Sequence, residues 1–358
     1  VRELIIDGRV INDDAPAYVV AEIGHNHGGS FLKAMAMALS AKQSGASAVK
    51  FQTRSPKDVY AHTTEKGAYF YQSDNPQWMD RTYGVHREKL EFSPEQWKDL
   101  FAYCKSIGIT AFSTPFDHKS ADLLAKLGVP AFKIASGDAT NIPLIKHVAS
   151  FGKPVIVSTG GCAMNDVERL NVEFFHGGRI QHAFLQCSCI YPAPDDIMNL
   201  RVIQKYRSVF DSTVIGLSTH HPSYIPSLAA YVLGARIFEH HYTNDKTWKG
   251  TDNAFSLDPT EMKAFVAALE TTRLALGKSY KEPDPRELIP TIERRKKLVW
   301  TRDLAAGHDV VREDLIAKCP GNGIPPYEMD TIIGHTLSQD VKAEEVVNRT
   351  QIVEPAFA

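Results

Sequence analysis

Two histidines stand where they could share one ligand. His220 lies just past the apolar run Thr213–Ser218, and His241 just past Arg236–His240. Each follows another polar residue at a distance of two, Ser218 and Glu239 respectively. Alternate residues of an extended strand share a face, so each pair points the same way. Were the two runs neighbouring strands, roughly 5 Å apart, both imidazoles could reach one cation. Neutral imidazole suits Mn²⁺, Zn²⁺ or Fe²⁺, with water and substrate oxygens completing the sphere. The spacing is not a local metal motif, and a pair of hydrogen-bonded rim histidines is the alternative. Parity sets aside the adjacent His221 and His240.

Lys50 stands between Val49 and Phe51 in an apolar run, where a surface lysine is out of place, and it shares a face with Gln52. Glu22 ends another apolar run ahead of Gly24. A buried carboxylate needs a partner or a task. A salt bridge to Lys50 and a part in catalysis are both open to it, and they are compatible. Hydroxyls and glycines end five further runs, at Ser113-Thr114, Ser136-Gly137-Asp138, Ser158-Thr159-Gly160-Gly161, Ser188 and Ser218. Beside helix N-termini such residues offer free N–H groups and a positive dipole to a phosphate or carboxylate. Taken singly, each is as well explained as a helix cap. Five of them beside a strand-borne lysine point to an anionic ligand. The run Arg294–Lys297 reads as a solvated face that could also reach an anion, and Cys187 and Cys189 read as small packing residues. Neither Asn26-His27-Gly28 nor Gly160-Gly161 belongs to a nucleotide-binding pattern.

These residues need a scaffold that gathers strand ends. Short β-branched or aromatic runs recur at Tyr18–Ile23, Ala46–Phe51, Ile109–Ser113, Ala131–Ala135, Pro154–Ser158, His182–Cys187, Thr213–Ser218 and Arg236–His240. Each precedes a stretch of helical period: Phe31–Gln43, Pro94–Ser106, Lys119–Leu127, Pro143–Phe151, Met164–Asn171, Met198–Tyr206, Pro222–Leu233 and Pro259–Leu276. Eight strand–helix units in strict alternation predict an α/β fold, a (β/α)₈ TIM barrel with its site at the C-terminal strand ends. The long aromatic stretch Arg54–Glu91 is expected to be a functional loop on that side. Leu4–Ile11, two apolar runs around Asp7-Gly8, predicts a hairpin. We expect the barrel over residues 1–280 and a linker over 281–293, rich in proline and charge. A small β-rich domain over 294–358 follows, with turns at Ala306-Gly307 and Pro320-Gly321-Asn322-Gly323. That domain is too small for a large core, so it is expected to pack on this barrel or a partner's.

The 358 residues are 43% hydrophobic and 23% charged, as in ordinary globular proteins. A net charge of −2 excludes the cationic surface that nucleic acid selects. No run is apolar enough to span a membrane, and the first residues carry no signal segment. Five cysteines do not make a disulfide framework. A cytoplasmic chain, its initiator or a short leader preceding Val1, is the expectation.

The ordered set Ala21-Glu22-Ile23-Gly24-His25-Asn26-His27-Gly28-Gly29, Val49-Lys50-Phe51-Gln52, Phe112–Phe116, Lys133–Asp138, Gln186–Pro192, Ile215–His220 and Glu239–Thr243 resembles the sialic acid synthase family. Lys246–Asp252 and Ser256–Pro259 strengthen the likeness, and the tail resembles that family's antifreeze-like (SAF) domain. The resemblance covers nearly the whole chain. It implies condensation of phosphoenolpyruvate with an N-acetylated hexosamine aldehyde such as N-acetylmannosamine, giving a nonulosonate and phosphate. Position by position it makes His220 and His241 metal ligands, usually for Mn²⁺, with Mg²⁺ or Co²⁺ as alternatives. Lys50, Thr114, Ser136 and Ser218 become phosphoenolpyruvate contacts, and Ser158 and Ser188 join them from the rim. Glu22, Gln52, Asp138, Tyr191 and Asp252 become sugar-side positions. It also implies a homodimer whose C-terminal domain caps the partner barrel. Cys189 and Cys319 depart from the pattern: many bacterial members have Asn and Arg there, so the exact sugar is the open point. A related synthase making a seven- or eight-carbon acid would as a rule lack the tail. A sugar-binding protein without catalysis would not need Glu22, Lys50 and both histidines.

Overall fold

A computed structural model describes residues 2–176, 178, 180–319 and 323–353. The chain divides into two compact units after Gly277. The first unit begins with an antiparallel hairpin, β1 (Glu3–Ile6) and β2 (Arg9–Asn12). Its turn, Asp7-Gly8, takes positive φ at both residues, 52° and 77°, the mirror-image turn that the strands' twist favours. Leu4, Ile6 and Ile11 are buried in the main core.

Eight parallel strands then close a barrel: β3 (Tyr18–Gly24), β4 (Ala48–Thr53), β5 (Thr110–Pro115), β6 (Phe132–Ile134), β7 (Val155–Ser158), β8 (His182–Gln186), β9 (Val214–Thr219) and β10 (Ile237–His241). Strand β10 pairs with β3 and completes the cylinder. The (β/α)₈ expectation holds, and strand alternation explains the layers. Phe51 and Phe238 point outward, Phe51 against Trp97 and Phe101 and Phe238 against Phe265. Lys50 and Glu239 point inward to the central cavity.

The helices are α1 (Phe31–Gln43), α2 (Pro56–Val59), α3 (Tyr83–Glu88), α4 (Pro94–Ser106), α5 (His118–Leu127), α6 (Ile142–Ala149), α7 (Met164–His176), α8 (Val202–Val209), α9 (Ile225–Val232) and α10 (Pro259–Leu276). Three of the eight expected spans match residue for residue. Their start signals are explicit: Ser93 with Gln96, and Asp258 with Glu261, form reciprocal capping boxes, and Ser30 caps α1. The helix expected at Met198 starts instead at Val202, because Asn199 takes a positive φ of 45° and breaks the turn. The stretch Arg54–Glu91 is not a plain loop. It holds α2, α3 and an isolated bridge, Gln72 to Thr82.

The second unit, by itself, opens with a 3₁₀ turn (Pro285–Glu287) and a short helix, α11 (Leu288–Arg294), in the stretch read as a linker. Two small antiparallel pairs follow, β11 (Lys297–Trp300) with β12 (Leu315–Lys318) and β13 (Thr336–Leu337) with β14 (Ile352–Val353). Leu298, Trp300, Ile332 and Val347 are its core. Gly307 takes the positive φ of the expected turn. The turn expected at Pro320-Gly321-Asn322-Gly323 lies, apart from Gly323, outside the described residues. Among the described residues no helix is long and apolar enough to cross a membrane.

Candidate active site

The C-terminal strand ends open into one cavity of about 570 Å³. Its floor is a cluster of buried charges. Lys50 Nζ lies 2.9 Å from Glu22 Oε2 and 3.7 Å from Glu239 Oε1, and it donates to Thr114 Oγ1 (3.0 Å). Lys133 Nζ donates to Ser158 Oγ (2.6 Å) and lies 4.0 Å from Glu239 Oε1. Ser218 Oγ donates to Glu239 (3.1 Å), and Gln52 Nε2 to Glu22 Oε1 (2.9 Å). Burial works against the Lys50 ammonium, but Glu22 and Glu239 outweigh it and hold its pKa above the ordinary value. Burial likewise opposes the Glu239 carboxylate, yet Lys133 and Lys50 pull its pKa down. Glu22 and Lys133 go the other way, each pushed by burial toward its neutral form. The cluster therefore favours charge on Lys50 and Glu239, while Glu22 holds a proton more readily than a free carboxyl does.

A register skip aims Glu22. Strand β3 pairs with β4 as Glu22 opposite Lys50 and then Gly24 opposite Phe51. Gly24 has a φ of +50°, where a side chain would be strained, and a Cβ there would press on Glu22 Oε1 at 3.0 Å.

The two histidines meet on the other side. Their ring centroids are 5.4 Å apart, and Tyr191 lies over His220 at 3.6 Å, tilted by 30°. The inner face takes them and excludes their neighbours. His240 turns outward to Ser227 Oγ (2.7 Å), and His221 pairs with Asp195 (2.8 Å). His220 Nδ1 donates to the Ser188 carbonyl (2.7 Å), so its Nε2 keeps a lone pair. Burial, helped by His241, pushes its pKa down to about 3, and the ring is neutral. His241 Nδ1 is buried without a hydrogen bond, 3.7 Å from Asp252 Oδ2. Two convergent imidazoles, His220 neutral and His241 with an orphaned ring nitrogen, are a donor set that suits a divalent ion. Among the described residues no three His, Cys, Asp or Glu side chains form a ligand group, so water and substrate would complete the sphere.

The wall above β4 comes from the Arg54–Glu91 stretch, with Arg54, Asn75, Gln77 and Arg87 lining the cavity. Arg54 lies over Phe116 (3.9 Å) and donates to Tyr60 Oη (2.7 Å) and Gln52 Oε1. Glu91 receives the Arg54 amide (3.1 Å) and meets His25 Nε2 (3.2 Å).

Of the residues singled out in sequence, Glu22, Lys50, Gln52, Thr114, Ser136, Ser158, Tyr191, Ser218, His220, His241 and Asp252 all line this cavity. Two do not. Ser188 turns its hydroxyl to the Ile197 carbonyl (2.7 Å) and faces the cavity's neighbour, meeting His220 through its main chain. Asp138 receives Asn141 Nδ2 (3.0 Å) at the start of α6. Both lie past their strand ends, where alternation no longer predicts direction. The sequence reading missed Lys133, although its place between Phe132 and Ile134 is the signal that found Lys50. Glu239 was legible only as a rim residue. Arg54 continues the parity of Lys50 and Gln52, whereas nothing local marks Arg87.

Residues 37–281 match the NeuB family and residues 295–353 the SAF domain. The N-acetylneuraminate-9-phosphate synthase of Mus musculus is 32% identical across 95% of this chain and 94% of its own. The N,N'-diacetyllegionaminic acid synthase of Legionella pneumophila is 36% identical across 91% and 92%. The crystal structure of N-acetylneuraminic acid (sialic acid) synthetase from Leptospira borgpetersenii, in complex with citrate, aligns with a TM-score of 0.72 at 29% identity. That alignment covers 81% of this chain and 95% of the other.

Proposed function

The chain belongs to the NeuB family, and from that premise we propose that it is a phosphoenolpyruvate-dependent nonulosonate synthase. It condenses phosphoenolpyruvate with an N-acetylated hexosamine aldehyde, N-acetylmannosamine or its 6-phosphate, and water. The products are N-acetylneuraminate or a close nine-carbon relative, and phosphate. The observation that carries this is the division of one cavity into a lysine–hydroxyl floor and a two-imidazole wall.

The donor's phosphate and carboxylate rest on Lys50 and Lys133 and on the hydroxyls of Thr114, Ser136, Ser158 and Ser218. These groups are fixed before the donor arrives, so they stabilise the phosphate as it departs without reorganising. The donor's terminal carbon bonds to the aldehyde carbon. Water adds at the donor's C2 and its oxygen becomes the ketone as phosphate leaves by C–O cleavage; one of water's two protons leaves with the phosphate and the other restores the proton that Glu22 gives up. Glu22, oriented by Gln52, hands a proton to the aldehyde oxygen as it becomes a hydroxyl. Asp252 and Tyr191 frame the sugar beside the histidines. His220 and His241 would hold a divalent ion, Mn²⁺ before Mg²⁺ or Co²⁺, which when bound acts as a Lewis acid toward that aldehyde.

We also take the working form to be a cytoplasmic homodimer with the C-terminal unit of each chain over the partner's barrel. The small core of that unit and five free cysteines support this.

The test is phosphate release from phosphoenolpyruvate with Mn²⁺ and each candidate acceptor. Release should require donor, acceptor and ion together and stop on chelation. Absence of release with every acceptor, or a full rate after chelation, overturns the proposal.

A further inference from the structure

We propose that Cys189 and Cys162 join in a reversible disulfide when hydrogen peroxide enters the active-site cavity, and that this bond spoils the donor's place on the floor. The effect on the donor rests on the condensation proposed above; the bond itself does not.

Three of the five free cysteines, Cys162, Cys187 and Cys189, line one cavity of about 560 Å³ beside the active site. Cys187 and Cys189 line the active-site cavity as well. Of the three only Cys189 is exposed, so an oxidant small enough to enter meets its sulfur first. Cys187 is buried, with its thiol turned to the Ser188 carbonyl (3.8 Å). Burial pushes the thiols of Cys162 and Cys187 up to about 11, which makes both poor attackers.

The partner is set by the turn Thr159–Cys162, closed by the Cys162 N–H on the Thr159 carbonyl (3.1 Å). That turn lays Gly160 against Cys189, whose Sγ lies 2.5 Å from the point a Gly160 Cβ would occupy. Cys162 stands two residues further on, a span of at most about 7 Å. A disulfide takes Cα atoms up to about 7 Å apart, and a swing of this one turn brings Cys162 to the sulfur that Gly160 touches. Gly161, between them, has a φ of +75° and open space where a Cβ would stand. The same turn donates the Gly160 N–H to Ser136 Oγ (2.9 Å), so the swing takes a fixed hydroxyl from the proposed donor site.

The Cys189 thiolate attacks one peroxide oxygen. The O–O bond breaks, and the departing hydroxide takes up the proton that the thiol gave up. The Cys162 sulfur then attacks the sulfenic acid: an S–S bond forms, the S–O bond breaks, and the second hydroxide leaves as water with the Cys162 proton. Two thiols lose two electrons in all, and one peroxide becomes two waters. A small thiol reverses the bond by exchange.

The experiment treats the reduced protein with hydrogen peroxide in the presence of a chelator, which keeps the oxidation away from any metal. The link is read by mass spectrometry of alkylated peptides, and phosphoenolpyruvate affinity by calorimetry. Treatment should join Cys162 to Cys189 and weaken phosphoenolpyruvate at least about tenfold, the worth of one hydrogen bond. Dithiothreitol should restore both. Cys162→Ser should bind the donor as the native protein does before treatment. Afterwards it should lack the link and lose the recovery, because a sulfenic acid without a partner thiol oxidises further. Absence of the link, a link from Cys189 to Cys187, unchanged donor affinity in the linked protein, or full recovery in Cys162→Ser overturns the inference and leaves the condensation standing. A reduced protein that binds no phosphoenolpyruvate overturns the donor site and this inference with it.

Discussion

His220 donates its Nδ1 hydrogen to the main-chain carbonyl of Ser188 across 2.7 Å. That bond fixes the tautomer and commits the other ring nitrogen as an acceptor, the state a metal ligand requires. His220→Ala and His241→Ala should each weaken Mn²⁺ binding by more than about 100-fold in calorimetry, with circular dichroism unchanged. Native affinity in either variant would remove that residue from the ligand set.

Lys50 and Glu22 form a buried pair 2.9 Å apart, and Glu239 shares the lysine. Removing only the cation leaves Glu22 buried without one and Glu239 with Lys133 alone. Lys50→Met should cost about 3–5 kcal/mol in denaturant unfolding. Adding Glu22→Gln to it should recover part of that loss, since the two sites share one interaction. Strictly additive costs would show that the pair is not coupled.

Glu91 predicts a pH dependence. Burial raises its pKa from the ordinary 4.5 to about 7. Between those values the folded protein keeps a proton that the unfolded chain has released. Stability therefore falls as pH rises through this window, by up to about 3 kcal/mol, and levels off above it. Glu91→Gln cannot titrate, so the variant should gain on the native protein between pH 5 and pH 7.5. Parallel stability curves for the two proteins would refute the assignment.

Gly160 donates its N–H to Ser136 Oγ (2.9 Å), and a Cβ there would lie 2.5 Å from Cys189 Sγ and 2.9 Å from Ser136 Oγ. Gly160→Ala should push Ser136 aside and raise the KM for phosphoenolpyruvate about tenfold, the worth of one hydrogen bond. Removing the sulfur with Cys189→Ala in the same chain should relieve part of the crowding. If the single variant binds the donor as the native protein does, Ser136 is not a donor contact.

The barrel was legible because two periodicities agree, alternation within strands and the helical repeat between them. The same parity separated His220 from His221 and His241 from His240. Parity ends with the strand, which is why the directions of Ser188 and Asp138 could not be read. Lys133 carried the signal that flagged Lys50 and was passed over. Arg54 and Arg87 come together only because α3 packs against α2 and sets Tyr83 against Tyr60, a tertiary event with no local signature. The short elements of the Arg54–Glu91 stretch were hidden for a related reason, since α2 has four residues and α3 six.

The opposite facing of His220 against His221, and of His240 against His241, makes the barrel intolerant of small changes in length. One residue inserted or deleted within β9 or β10 exchanges an inward imidazole for one already bound to Asp195 or Ser227. Drift in these strands can proceed by substitution alone. Length variation is confined to the connecting segments, so relatives with different sugar preferences should differ in their insertions after β4 and keep the strand register intact.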